Sequence, residues 1–286
     1  MGPPAADEGA ISSAPIGVCN RYEFIKESPH TMSDSDASRP SAIASDGPDA
    51  AGKHASGAPW RNFYGRFKGK TLKPNQVRDL DEMLPELSPG AVGWDENPER
   101  EPLDLEAQFQ GRDVWLEVGF GGGEHLVHQA ESNPDVGIIG AEPYVNGVAM
   151  LLGKLRKSSA ENVRVHAGDA RDLMDVLPAQ SLSRAFLLYP DPWPKARHHR
   201  RRFVTQEHLE PLARVLKPGA IFRVATDIPD YVRQTLEEVP KAGFKWLAEG
   251  PEDWRKPWGD WISTRYEQKA LREGRTPHYL TFQRQD

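Results

Sequence analysis

The sequence predicts an α/β protein, a mostly parallel sheet with helices on both faces. Three observations carry this: short apolar runs alternate with helical stretches after Asp113, a glycine-rich turn follows the first run, and acidic residues close the next ones. VWLEVGF reads as a buried strand, GGEHLVHQAES as a helix, VGIIGAEP as a strand, VNGVAMLLGKLRKSS as a helix and NVRVHAGD as a third strand. LSRAFLLYP is the fourth strand. FVTQEHLEPLARVL is a helix ended by Lys217-Pro218-Gly219, AIFRVATD is a strand and PDYVRQTLEEV a helix, and FKWLA and HYLTFQR supply two late strands. In such a sheet the ligand lies beyond the carboxyl ends of the first strands.

Ahead of this body, residues 1–57 are rich in Ser, Ala, Pro, Gly and Asp and show neither helical nor strand periodicity. They bury too little apolar surface to offset their ordering entropy, so they read as a disordered, acidic tail. Residues 58–112 form a basic and aromatic arm in which Trp60, Phe63, Tyr64 and Phe67 interleave with Arg61, Arg66, Lys68, Lys70 and Lys73. Aromatic faces stack on bases while cations pair with phosphates, so the arm suits RNA; an amphipathic arm docked on the core fits it equally. Residues 113–286 make up the α/β domain.

Composition excludes several classes. The lone Cys19 permits no internal disulfide and no cysteine-based zinc site, and no metal is expected. No run of eighteen apolar residues is present, and the N-terminus lacks a basic segment followed by an apolar one. A soluble, cytoplasmic protein without membrane contact is expected. A net charge of −6 argues against coating nucleic acid by charge alone, but leaves room for a local basic patch.

The first strand runs into Glu117-Val118-Gly119-Phe120-Gly121-Gly122-Gly123-Glu124, which opens a helix. Glycines let the backbone approach a ligand and adopt positive φ. A dinucleotide needs Gly-x-Gly-x-x-Gly with its pyrophosphate on the helix N-terminus, whereas here Glu124 puts a negative charge where phosphates would sit. A cationic sulfonium cofactor bearing an amino acid has the opposite need, carboxylates for its ammonium and sulfur, and Glu117 suits it. Glu142 at the second strand end accepts the hydroxyls of a ribose, and Asp169 after the third accepts from an adenine amino group.

The fourth strand ends in Tyr189-Pro190-Asp191-Pro192-Trp193-Pro194, where two prolines stiffen the backbone around Asp191. A preorganised carboxylate beside an aromatic ring suits a site that grips a planar base. The following Lys195, Arg197, His198, His199, Arg200, Arg201 and Arg202 form a basic patch suited to phosphates. An amino-methyltransferase would instead carry an Asn/Asp-Pro-Pro-aromatic loop. A non-catalytic RNA-binding module would not need Glu117, Gly119, Gly121 and Glu142 together.

The segments RNFYGRFKGK, LEVGFGGGEHL, GAEPY, GDARDL, YPDPWPKARHHRRR, ATDIPDYV and TRYEQKALREG resemble the bacterial tRNA (guanine-N7-)-methyltransferase (TrmB) family over residues 60–286. The resemblance implies a class I S-adenosylmethionine-dependent, Rossmann-like fold with a seven-stranded, mostly parallel sheet. It also implies methylation of guanosine N7 in the tRNA variable loop, usually at position 46. It assigns Glu117, Glu142, Asp169 and Asp191 to the cofactor, with Asp191 also catalytic, beside the turn glycines Gly119 and Gly121. Lys195, Asp227, Thr264, Arg265, Tyr266 and Glu267 match substrate-contacting positions, and Arg197 to Arg202 the RNA-contacting stretch. Tyr189 stands where many members have Phe, and Pro194 where His is common. The implied partner is tRNA, with no obligate protein partner, for a monomer or homodimer.

Overall fold

The computed structural model describes Arg61 and residues 63–286. The tail read over 1–57, together with Trp60 and Asn62 of the arm, lies outside the described residues. The described residues belong to one compact unit, Asp46–Asp286.

Seven strands form a single sheet: β1 Asp113–Val118, β2 Val136–Ala141, β3 Val163–His166, β4 Leu182–Leu188, β5 Leu216–Thr226, β6 Phe244–Trp246 and β7 His278–Arg284. Their order is β3-β2-β1-β4-β5-β7-β6, with β1 to β5 parallel and β7 antiparallel to both β5 and β6. Every residue from Val114 to Val118 is buried, which for a strand requires cover on both faces. Leu116, Ile139, Leu173, Leu187, Phe222 and Leu280 belong to the resulting core. The strand order reverses between β1 and β4, and a parallel sheet opens a crevice at such a point beyond its carboxyl edge.

The helices are α1 Pro74–Leu87, α2 Leu105–Phe109, α3 Glu124–Ser132, α4 Val145–Leu155, α5 Ala170–Val176, α6 Gln206–Val215, α7 Pro229–Glu238, α8 Glu252–Arg255 and α9 Arg265–Arg272, with a 3₁₀ helix at Ala196–Arg201. Helices α1, α3 and α4 pack as one group, α5 and α6 as another. No helix among the described residues is long and apolar enough to cross a membrane.

Residues before β1 are built into this body. Helix α1 starts with Pro74 at its first turn, where a missing N–H costs nothing, and buries Leu80 and Leu84. Its Asp79 accepts from Arg156 at the end of α4, 2.5 Å away. Upstream, Val145 donates to the carbonyl of Phe67 and Gly69 donates to Asn146, while Arg61 pairs with Asp172 and Asp175 of α5. The segment thus runs from α5 to α4, and Arg61 serves as its anchor.

Helices α1, α2, α5, α8 and α9 are absent from the pattern read in the sequence. Helix α5 has 7 residues and α8 has 4, too few to display a periodicity. Lys217-Pro218-Gly219 does follow α6, but it lies inside β5 as an irregularity: Leu182 pairs with Leu216, and the next pair is Arg184 with Ile221.

Leu116 is 0% exposed in the central strand, whereas Leu271 on α9 is 57% exposed. Leu116→Ala is expected to cost ~2–5 kcal/mol and Leu271→Ala less than about 0.5 kcal/mol, read from urea midpoints at constant m value.

Candidate active site

The turn after β1 places Gly119, Gly121 and Gly123 at φ of 70°, 56° and 74°, a region closed to most side chains. A Cβ at Gly119 would meet nothing within 4 Å, so the backbone there borders open space. At Gly121 an added Cβ would come within 3.0 Å of the Tyr266 ring, which leans over the turn.

Four acidic groups stand at successive strand ends. Glu142, after β2, is 8% exposed and accepts from the backbone N–H groups of Gly121 at 2.7 Å and Tyr144 at 2.9 Å. Burial pushes its carboxyl up to about 7, the charges of Asp191 and Glu117 push the same way, and the two N–H donors only partly offset them. Glu117, at the end of β1, is 2% exposed with one oxygen 2.7 Å from Nδ1 of His125. Asp169, after β3, caps α5 through the N–H of Arg171 and is clasped by that residue's guanidinium. Burial acts to raise its carboxyl, but Arg171 more than offsets this and holds it below the ordinary value. Glu124, the residue that argued against a pyrophosphate, is neutralised by Lys154 at 3.3 Å and Arg265 at 3.0 Å.

Asp191, beyond β4, stands exposed at the rim of the same crevice. Neighbouring protein atoms displace enough water to hold its carboxyl above the ordinary value, against the pull of Arg66 from the arm. Its loop is strained: Tyr189 and Trp193 have φ of 50° and 40°, left-handed values that bulky residues rarely adopt.

Arg202 holds this loop, which corrects its assignment to RNA. Its side chain is 0% exposed and cannot reach a phosphate. The guanidinium donates to the carbonyls of Pro192 at 2.9 Å and Trp193 at 3.4 Å and to Gln234 at 2.9 Å, and pairs with Asp230 at 2.8 Å. Of the other residues in the run, Lys195, Arg197 and Arg200 are exposed. Arg201 lies 4.3 Å over the Tyr64 ring and 5.0 Å over Trp193. His198 meets Trp193 edge-on, and His199 lies 3.1 Å from Asp230.

The Thr264–Glu267 stretch divides. Thr264 caps α9 by accepting from the N–H of Glu267, which puts Arg265 and Tyr266 against the glycine turn. Glu267 is 4% exposed and faces inward, accepting from Trp261, from Tyr279 and, at 3.5 Å, from Tyr189. The structure therefore sets it as a brace behind the loop that carries Asp191. Asp227 follows β5, is 7% exposed and pairs with Arg275.

Reading the sequence missed His125, whose partner Glu117 lies on the preceding strand, and Arg275, whose partner Asp227 lies 48 residues back. It placed Tyr64 and Arg66 in an RNA-suited arm without seeing that they reach Arg201 and Asp191. One signal was present: Thr264-x-x-Glu267 has the spacing of a helix capping box.

A reversing parallel sheet, a glycine turn left open toward solvent and acidic strand ends define a class I S-adenosylmethionine-dependent methyltransferase. A family model described as a putative methyltransferase matches residues 111–280. The tRNA (guanine-N(7)-)-methyltransferases of Ruegeria pomeroyi and Roseobacter denitrificans are 80% and 78% identical to this chain, each over 79% of it and over 95% and 97% of their own lengths. That of Jannaschia sp. is 73% identical over 79% of this chain and 95% of its own. The chain belongs to the tRNA (guanine-N(7)-)-methyltransferase family.

Two outcomes are expected. Because the folded Glu142 keeps a proton that the unfolded chain gives up, stability of the free protein falls as pH rises from about 4.5 to about 7. Glu142→Gln flattens that slope in thermal melts across this range. For Arg202→Gln, turnover drops by about tenfold or more, yet the slope of log K for tRNA against log salt stays as in wild type. A slope shallower by about 0.9 would restore Arg202 as a phosphate contact.

Proposed function

We propose that the guanosine methylated by this chain lies in the tRNA variable loop, usually at position 46, and that Asp191 presents it to the cofactor. The reaction itself is that of the family: transfer of the methyl group of S-adenosylmethionine to N7 of guanine in tRNA. The observation that carries the site reading is the crowding of Glu117, Glu142 and Asp191 around one crevice, with Glu142 held up to about 7. Such a set is short of positive charge and fits a ligand carrying an ammonium and a sulfonium.

Glu142 would take the ribose hydroxyls, Glu117 the ammonium and Asp169 the adenine amino group, with Gly119 and Gly121 keeping the backbone close. When bound, S-adenosylmethionine supplies an electrophilic methyl group. Guanine N7 has an in-plane lone pair and no proton, so no general base is needed before attack. The chain's own residues align N7 with the methyl carbon and exclude water. Asp191 accepts from guanine N1–H and N2–H or stabilises the positive charge that develops on the alkylated ring. Tyr266 and Arg265 close the crevice over the turn, while Lys195, Arg197 and Arg200 take phosphates. A tRNA substrate sets the site of action in the cytoplasm.

Incubation of the protein with labelled cofactor and bulk tRNA, followed by borohydride and aniline cleavage, maps the methylated guanosine. Cleavage at a single variable-loop guanosine is expected; cleavage elsewhere would refute the position. Asp191→Asn is expected to lower kcat by about 10²- to 10³-fold with little change in tRNA Kd. Arg197→Ala combined with Arg200→Ala should do the reverse, with a salt slope shallower by about 2. Equal losses of kcat and affinity in both variants would contradict this division of labour.

A further inference from the structure

Beyond the crevice, the carboxyl edge of the sheet carries a second concavity that none of these roles uses. It is a cleft of about 540 Å³ lined by Asp227, Trp254, Arg255, Arg275 and His278, within the ~300–1,000 Å³ typical of small-ligand sites. Thr226, the last residue of β5, pairs with His278, the first of β7, so the cleft lies just past those strand ends. Leu188 of β4 pairs with Ala225 of β5, so the loop bearing Asp191 and the residue Asp227 leave adjacent strands side by side. One or two strand widths, about 5–10 Å, separate the two places, a distance that one nucleotide step spans.

The walls have the chemistry of a nucleotide site. The rings of Trp254 and His278 stack on one another, parallel to within 8° at 5.5 Å, and so extend an aromatic column that a further flat ring continues. Arg255 lies 4.8 Å over Trp254, where a guanidinium both stacks and meets a phosphate. Arg275 pairs with Asp227 and Glu273, which sets a donor and an acceptor side by side in the wall of the cleft. The cleft is also tied to the acceptor loop. Pro229, which opens α7, lines it, and Asp230, the next residue, binds Arg202, which in turn holds Pro192 and Trp193.

We infer that this cleft takes the base of a tRNA nucleotide next to the methylated guanosine, stacked on Trp254 and held by Arg255. The inference rests on the proposed docking of tRNA along this edge, and it gives Asp227 a flanking nucleotide as its substrate contact. Stripping a neighbour from the stack would help free the target base for Asp191.

The test uses the full-length protein with S-adenosylhomocysteine and tRNA carrying 2-aminopurine, in turn, at the target position and at each neighbour. Binding is expected to quench one flanking position, and Trp254→Leu to abolish that quenching while Trp254→Phe keeps most of it. In steady state, Trp254→Leu should raise KM for tRNA roughly 5- to 100-fold, the range of one lost base stack, with kcat at saturation within about twofold of wild type. Arg255→Ala, on an exposed four-residue helix, should raise KM in the same direction without a change in melting temperature. Quenching only at the target position, or quenching that survives Trp254→Leu, would overturn the inference. So would a fall in kcat at unchanged KM. Failure of the docking reading itself appears separately, as wild-type protein that forms no 7-methylguanosine in the unlabelled tRNA with S-adenosylmethionine.

Discussion

Carboxylates brought together where water is scarce repel one another, and the remainder of this site is arranged around that repulsion. The parallel sheet delivers Glu117, Glu142 and Asp191 to one edge because β1, β2 and β4 all run the same way. Two backbone N–H groups and one imidazole reach the buried pair, which leaves Glu142 poised near neutrality. Three cations close to the edge are spent elsewhere: Lys154 and Arg265 go to Glu124, and Arg171 goes to Asp169. A donor whose reacting sulfur is cationic gains from such an edge, and the gain is largest while the charge sits on the sulfur.

The acceptor side follows a different logic, rigidity obtained by strain. Left-handed φ at Tyr189 and Trp193 costs of order 1–3 kcal/mol each. Charge-assisted bonds from a buried guanidinium return about 1.5–3 kcal/mol apiece, and Arg202 makes them to the two carbonyls that follow Asp191. The proline on each side of Asp191 limits how the loop could relax. Tyr189 is steadied from behind by Glu267, which Trp261 and Tyr279 hold in turn. Asp191 thereby faces solvent from a backbone that has few alternatives, as alignment of a nucleophile requires.

Much of this was legible in the amino-acid order. The strands announced themselves as apolar runs because a doubly covered sheet buries both faces of each strand, and the order of glycine turn, Glu142 and Asp169 marked the carboxyl ends of β1, β2 and β3. Short elements were not legible: a seven-residue helix such as α5 completes about two turns and shows no stripe. Nor could the basic run reveal that Arg202 alone turns inward. Its partners Asp230 and Gln234 lie about thirty residues on, and only the docking of α7 beside the loop brings them together. His125 escaped notice for a related reason, since its pairing with Glu117 depends on how α3 folds back across β1.

The claim that an under-neutralised carboxylate edge recruits the cofactor is tested most directly by calorimetric titration of S-adenosylmethionine into the free protein in buffers of different ionisation enthalpy. Hydroxyl donors and positive charge both favour ionised Glu142, so the account predicts a fraction of a proton released on binding near pH 7, and affinity that declines as pH falls below about 7. Affinity that is flat between about pH 6 and 8, with a binding heat independent of buffer, would contradict it.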